Sequence, residues 1–510
     1  MLNIDSIHTD CCGCGACAQV CPQKCFDMQA NCEGFLRPNV NDNKCIECGL
    51  CEKVCPITKN FSFAKDKNFP EPKAYGGWNS DEEVRKNSSS GGAFSLFAHH
   101  IISLGGVVYA CSLDGDLKAS HTHAETLEEL SAMRKSKYVQ SEIGNVYNEV
   151  KTTLIKDRFV LFVGTPCQVA GLISFLGKLY EKLYTIDFIC HGVPSPLFFQ
   201  KYLNYISDKE GSNVVSFEFR VKDKGWNQSG LQLGTKIEYD NGTVKRNYPA
   251  FNDNYMNGFL DDVCLRPSCY NCKFKGINGS CSDYTIADFW GVDSVCQDLN
   301  DHKGTSLVLV RNEHAYELWD KVKDYFIGHE VDLLSSLKKN VTITKSANKC
   351  KGRNTFFKDL SEKTFNSVRL KYLTKTKWAA HKIIRILWNK YNKFIKFGLV
   401  GASNTLINLA VYYFLLHFGV NYLLAYTAGF LTSVCNAFFW NNKYVFKNKQ
   451  ETNSIFLFIK VLLSYGFSYL LSIVLLSVMV DRLHISDMIA PIIKLIITIP
   501  INFVLNKLWA

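Results

Sequence analysis

The chain lacks any patch in which lysine and arginine alternate with aromatic residues in stacking order, so its net charge of +11 does not point to nucleic acid, and no nucleic-acid partner is expected. It has little apolar character at its start: Met1 to Asp10 is polar, without an apolar core or a small-residue cleavage site, so no secretory leader and a cytoplasmic amino-terminal domain are expected. Residues 1–60 have little apolar periodicity, which excludes a hydrocarbon core there and leaves metal to hold the region together. Apart from one doubled cysteine run there is no internal repeat and no low-complexity tract. A chain of 510 residues exceeds what one core supports, and its composition changes sharply along its length, so three domains are expected.

Cysteine is what the amino-terminal region does have: 11 of the 21 in the chain precede Pro56. They fall in metal-ligand spacings rather than the scattered pairs of a secreted disulfide scaffold, which suits a reducing cytosol. The run Cys11-x2-Cys14-x2-Cys17-x3-Cys21-Pro22 recurs as Cys45-x2-Cys48-x2-Cys51-x3-Cys55-Pro56, the bacterial two-cluster ferredoxin pattern given twice. Two residues between ligands let a tight loop offer three thiolates to one iron–sulfur cube, while the fourth cysteine of each run reaches the other cube. Two [4Fe-4S] clusters are therefore expected, one on Cys11, Cys14, Cys17 and Cys55, the other on Cys45, Cys48, Cys51 and Cys21. Structural zinc would use two Cys-x2-Cys pairs and has no need of a third evenly spaced cysteine followed by x3-Cys-Pro. Cys12, Cys25 and Cys32 fall outside the pattern and read as small buried or loop thiols.

A linker is expected around Pro70 and Pro72, which disfavour helix. From 74 to 345, short apolar runs alternate with helical stretches, an α/β pattern. In this domain Asn87-Ser-Ser-Ser-Gly-Gly92 precedes an apolar helical run, where hydroxyls and glycines either cap a helix or present backbone N–H groups to a phosphate. Cys167, Cys190 and the pair Cys269-x2-Cys272 stand apart from one another, and Asp288 sits among aromatics without declaring a role. Residues 346–391 are basic and read as a connector. Four apolar segments follow, at 394–416, 421–440, 455–479 and 487–506, each near the roughly 20 residues a helix needs to cross a bilayer. They lack the polar face of a surface helix and are expected to form a transmembrane four-helix bundle.

Taken in order, Asn87–Phe94, Lys135–Val139, Gly164–Leu172, Cys190–Pro196, Arg220–Trp226, Leu265–Lys275 and Asp283–Gly291 resemble the coenzyme F420 hydrogenase/dehydrogenase beta-subunit family. That resemblance implies a flavoprotein passing electrons between iron–sulfur clusters and a two-electron carrier. It implies a third [4Fe-4S] cluster on Cys167, Cys190, Cys269 and Cys272; by position in the sequence, Cys264 and Cys281 flank the Cys-x2-Cys pair and are the alternative that would complete a local quartet. It also implies an FAD near Ser90, Gly91, Gly92, Lys137 and Tyr138.

Phe394–Thr405 and Asn436–Phe446 make 392–510 similar to the GtrA-like family of four-span membrane proteins. This resemblance implies a role in cell-surface polysaccharide assembly, with lipid-linked sugar as a partner beside the bilayer itself. Asn404, Asn408, Asn436 and Asn502 are polar groups at membrane depth, suited to helix–helix hydrogen bonds or to a functional cavity. Lys494 is a charge within the fourth segment. Basic flanks before the first segment, and Lys443, Lys447 and Lys449 after the second, place both termini on the cytoplasmic side of the membrane. The expected architecture is therefore multidomain: an α+β bacterial-type ferredoxin at 1–60, an α/β flavoprotein-like domain at 74–345, a basic linker at 346–391 and an all-α transmembrane bundle at 392–510. The expected function is a membrane-anchored iron–sulfur flavoprotein oxidoreductase working with an unidentified redox donor or acceptor. The other reading is a polysaccharide-assembly protein that moves lipid-linked sugar and carries an accessory redox domain. No catalytic residue declares itself.

Overall fold

A computed structural model describes residues 10–58, 71–226, 232–374, 401–440, 470–486 and 489–493. The chain divides into two compact units, Met1–Thr374 and Lys375–Ala510.

At the amino terminus, two short helices, Ala16–Val20 and Leu50–Lys53, each follow a glycine in the left-handed region, Gly15 at φ 74° and Gly49 at φ 71°. A left-handed residue there lets each cysteine loop turn directly into its helix. Strands β1 (Phe26–Ala30) and β2 (Leu36–Val40) pair antiparallel beside them, so the module is α+β. Its buried cluster is Cys25, Phe26, Cys51 and Cys55, a core of thiols rather than of hydrocarbon.

The rest of the first unit is a mixed α/β domain. β3 (Lys73–Asn79), β4 (Val107–Leu113), β5 (Ala119–Ala124), β6 (Val160–Val163) and β7 (Leu183–Phe188) come first along the chain. A three-stranded antiparallel sheet follows, of β8 (Val214–Val221), β9 (Gly234–Tyr239) and β10 (Val244–Asn247). Last come β11 (Tyr284–Asp288), β12 (Ser306–Val310) and β13 (Phe326–Val331). The main sheet has the order β13-β3-β12-β11-β7-β6-β4-β5. Pairing is parallel from β4 through β6 and β7 to β11, and antiparallel elsewhere. Val108, Leu161, Ile186 and Val308 are fully buried, as expected where both faces of a sheet are covered.

The helix Pro166–Leu176 shows how local sequence positions a site residue. Thr165 and Gln168 form a reciprocal capping box, Pro166 occupies the first turn, and Gly177 at φ 66° ends the helix. Cys167 is thereby held at the helix start, just beyond the carboxyl end of β6.

One expectation needs correction. The first part of the segment read as a connector, 346–374, is folded into the first unit. The helix Arg353–Glu362 buries Phe356, Phe357 and Leu360 in one core with Phe35, Phe198 and Tyr255. The segment 346–374 is basic in composition, with Lys349, Lys351, Lys358, Lys363 and Lys371 exposed and Arg353 buried. Residues 375–391 lie outside the described residues.

In the second unit, helices cover 401–417 and Tyr422–Trp440. Asn436 Nδ2 donates to Asn404 Oδ1 at 2.8 Å and to Ser403 Oγ at 3.1 Å, joining the two. A Cβ at Gly429 would meet the Asn408 carbonyl oxygen at 2.6 Å, so glycine is what permits this close approach. Among the described residues no helix is long and apolar enough to cross a membrane. Three of the four expected spans lie partly outside the described residues, as do Lys494 and Asn502.

Candidate functional site

The cysteines of the amino-terminal module line two hollows. One, of about 340 Å³, is walled by Cys11, Cys12, Cys14, Cys17 and Cys55. The other, of about 320 Å³, is walled by Cys21, Cys25, Cys45, Cys48 and Cys51. The fourth cysteine of each run thus stands at the other run's hollow. The backbone N–H of Cys25 donates to Cys21 Sγ at 3.4 Å, and the two sulfurs lie 3.1 Å apart. Burial and the neighbouring Cys11 and Cys55 hold the Cys17 thiol well above its usual range. Four converging thiols are a donor set for a polynuclear iron centre, whose positive charge offsets the mutual repulsion of the thiolates that hold it.

A third and larger cavity, of about 770 Å³, lies at the carboxyl ends of β6 and β7, where ligands of open α/β sheets bind. Its walls include Cys167, Cys190, Cys269 and Cys272. Cys190 lies two residues beyond the end of β7, while Cys269 belongs to the 3-10 turn Pro267–Asn271 and Cys272 follows it. Val193 N–H donates to Cys269 Sγ at 3.5 Å. Lys275 Nζ donates to the Cys190 and Thr342 carbonyls at 2.5 and 2.6 Å, fixing the loops around the cavity. Burial pushes the Cys190, Cys269 and Cys272 thiols up, Cys269 to about 12; for Cys167 a hydrogen bond with Cys12 adds to burial. The two alternative thiols stand elsewhere: Cys264 is fully buried in the core around Phe198 and Tyr255, and Cys281 does not line the cavity.

The module and the α/β domain meet at the Cys11–Cys12 peptide. Cys12 lines both the first hollow and the central cavity. Arg266, 1% exposed, donates from Nε to the Cys11 carbonyl at 2.7 Å, from Nη1 to Gln140 Oε1 at 2.8 Å and from Nη2 to the Leu36 carbonyl at 2.9 Å. Gln140 Nε2 donates to the Cys12 carbonyl at 3.2 Å. Sequence reasoning missed both roles. The one available signal was that Arg266 directly precedes the Pro267 turn carrying Cys269 and Cys272.

Three family models match the chain, in order: a 4Fe-4S dicluster domain at residues 10–59, the C terminus of the coenzyme F420 hydrogenase/dehydrogenase beta subunit at 157–329, and a GtrA/DPMS transmembrane domain at 396–510. The chain joins these three domains. It is a redox protein with iron–sulfur clusters and a membrane domain. No curated protein matches it. A chain from the F420-reducing [NiFe] hydrogenase complex of Methanosarcina barkeri is 16% identical to it, over 58% of this chain and 90% of that one, with a TM-score of 0.36.

All four cysteines of the central cavity fall within the beta-subunit match, whereas Ser90, Gly91, Gly92, Lys137 and Tyr138 lie ahead of it. None of these five lines the cysteine cavity. Ser136 draws their two segments together, donating to Ser89 Oγ from its N–H at 2.9 Å and from its hydroxyl at 3.1 Å. Ser90 Oγ donates to the Thr305 carbonyl at 2.8 Å, and the Gly91 N–H is taken by Ser306 Oγ at 3.0 Å. Gly92, at φ 86°, opens the helix Ala93–Ser103. Tyr138 stacks on Phe259 with ring centroids 4.7 Å apart. Beside them Arg220 is paired bidentately with Asp288 at 2.6 and 2.7 Å, which gives that aspartate a role. Two partly buried ammonium groups here have only carbonyl acceptors. Lys137 Nζ donates to Ala132 and Arg134, and Lys222 Nζ to Arg85, Ser90 and Lys303. Burial lowers Lys137 to about 8 and, with Arg85 and Arg220 nearby, Lys222 to about 7.

Proposed function

We propose that the chain is a membrane-anchored iron–sulfur flavoprotein oxidoreductase. It passes electrons between two [4Fe-4S] clusters of the dicluster module, a third [4Fe-4S] cluster in the beta-subunit domain, and an FAD. The observation that carries this reading is the convergence of Cys167, Cys190, Cys269 and Cys272, from three separated segments, on one cavity that shares its Cys12 wall with the first module hollow. The ligand sets are Cys11, Cys14, Cys17 and Cys55; Cys45, Cys48, Cys51 and Cys21; and the four of the central cavity. Cys48 is exposed and Cys11, Cys14 and Cys55 are buried, which makes the Cys45–Cys51 end the side that meets an external one-electron partner.

An FAD would couple one-electron to two-electron chemistry. Lys137 and Lys222 support its phosphates at the 88–92 turn, because two ammonium groups that meet only carbonyls leave positive charge for an anion. Ser90 Oγ and the Gly91 amide shape the turn rather than reach the ligand, since both are already bonded within the protein. The GtrA/DPMS transmembrane domain supports a membrane anchor, the basic flanks of its apolar segments support four spans with both termini cytoplasmic, and the resemblance of 392–510 to GtrA-like proteins supports a link to cell-surface polysaccharide biosynthesis.

Anaerobically purified full-length protein should release flavin on acid treatment and hold roughly twelve irons, four per cube. It should also reduce an acceptor when given a low-potential donor. Protein without flavin, inert towards every donor, would defeat the oxidoreductase reading. A second reading, translocation of lipid-linked sugar with an accessory redox part, rests on Asn408, whose buried Oδ1 has no hydrogen bond. Binding of lipid-linked sugar that ignores cluster oxidation state would favour it.

A further inference from the structure

Arg266 carries a buried charge that no carboxylate answers. Its hydrogen bonds go to the Cys11 and Leu36 carbonyls and to Gln140, with Nη2 also 3.7 Å from Cys11 Sγ. These acceptors take four of the fork's five N–H groups but leave its net charge uncompensated. A guanidinium does not escape burial by deprotonating, so such a site needs an anion. The acids nearby are engaged elsewhere: Glu33 is held bidentately by Arg353 and Asp10 pairs with Lys273 at 3.7 Å. Arg37 adds positive charge on the same side, its buried Nε without a hydrogen-bond partner.

The anions within reach are sulfur. Arg266 touches Cys11 and lines the central cavity together with Cys167 and Cys269. A Cβ at Gly13 would meet Arg266 Nη1 at 2.7 Å, so glycine at that position, with φ +70°, makes room for the guanidinium against the cysteine loop. A cube held by four thiolates is a net anion that becomes more negative on reduction. A fixed buried cation beside it therefore favours the reduced state, as does an N–H directed at a ligand sulfur.

We propose that Arg266 is the shared counter-ion of the two cluster sites that meet at Cys11–Cys12, raising the reduction potentials of both and so setting the electron step between module and beta-subunit domain. This rests on the cluster assignment above. Arg266 acts as a positioning residue in two ways: it supplies charge, and together with Gln140 it pins the Cys11 and Cys12 carbonyls against the cavity wall.

The test is a redox titration of the anaerobic full-length protein followed by EPR, comparing wild type with R266Q and R266K. R266Q removes the charge and should shift the Cys11 and central clusters at least tenfold towards the oxidised form, about 59 mV lower for one electron. The Cys45 cluster should move much less, and R266K should stay close to wild type. Unchanged potentials in iron-replete R266Q would overturn the proposal. If R266Q loses iron, R266K decides: full iron and near-wild-type potentials support the counter-ion, and the same loss in R266K shows that the fork's shape, not its charge, is what the site needs. A wild-type protein with only about eight irons would instead defeat the third cluster. The shift of the Cys11 cluster would still judge Arg266.

Discussion

Gly171, on the helix that begins beside Cys167, lies directly against Cys14. A Cβ at Gly171 would meet Cys14 Cβ at 2.8 Å and Sγ at 3.0 Å, with the Tyr147 hydroxyl at 2.9 Å. The motif that places one cavity's cysteine therefore also leaves space for the neighbouring hollow's loop. Gly171→Leu should push the Cys14 loop away and cost the first module cluster, about four irons per chain. Iron analysis with EPR reads the result, and a variant with full iron and unaltered spectra would contradict the packing.

The double variant Cys269→Ser, Cys272→Ser should lower iron from about twelve to about eight per chain while leaving the module signals in place. An unchanged count would remove the third cluster and leave the other two standing.

Arg353 holds Glu33 through both oxygens, at 2.7 and 2.6 Å, linking the helix Arg353–Glu362 to the module. The two side chains are 5% and 17% exposed. Glu33→Gln leaves a mostly buried guanidinium facing a neutral amide and should destabilise the first unit by about 3 kcal/mol. A chemical unfolding midpoint at the wild-type value would show the pair to be dispensable.

Lys137 has a folded-state pKa of about 8, lowered by burial from 10.5. Between those two values the unfolded chain binds the extra proton and the folded chain does not. Lys137 therefore makes stability rise with pH from about 8 towards 10.5, and below about 8, where both states are charged, its contribution to the slope vanishes. Lys137→Met should flatten that rise, as measured by unfolding midpoints across pH 7.5 to 10, roughly that window. An identical slope in the variant would mean the amine is solvated.

Gly419 sits in the turn between the helices 401–417 and Tyr422–Trp440, at φ 75°. The proposed topology, with both termini cytoplasmic, puts this turn outside, so a cysteine placed there should react with an impermeant reagent added to intact cells, and a reporter fused after Ala510 should work only in the cytoplasm. Labelling of Gly419→Cys only after lysis would reverse the topology.

The doubled cysteine run was legible because cluster ligation is local: a spacing of two residues brings three sulfurs together whatever the rest of the chain does. The membrane character of 392–510 was legible for a similar reason, since a membrane imposes apolar length on the segments within it. The helix Arg353–Glu362 was misread because the segment around it is basic in composition. Phe356, Phe357 and Leu360 point to one face only, and nothing in the local pattern names the core that receives them.

What the sequence determined by itself was therefore the set of groups whose chemistry depends on near neighbours: the two cysteine runs, the Cys269–Cys272 pair and the capped start of the Cys167 helix. Which distant groups share a cavity was decided by the tertiary structure alone. Cys167, Cys190 and Cys272 meet because β6, β7 and the Pro267 turn end at one edge of the sheet. Cys12 became a shared wall, and Arg266 a buried charge, only when the module packed against that edge, because burial and electrostatic neighbourhood are properties of folded surfaces brought into contact and leave no periodicity in the chain.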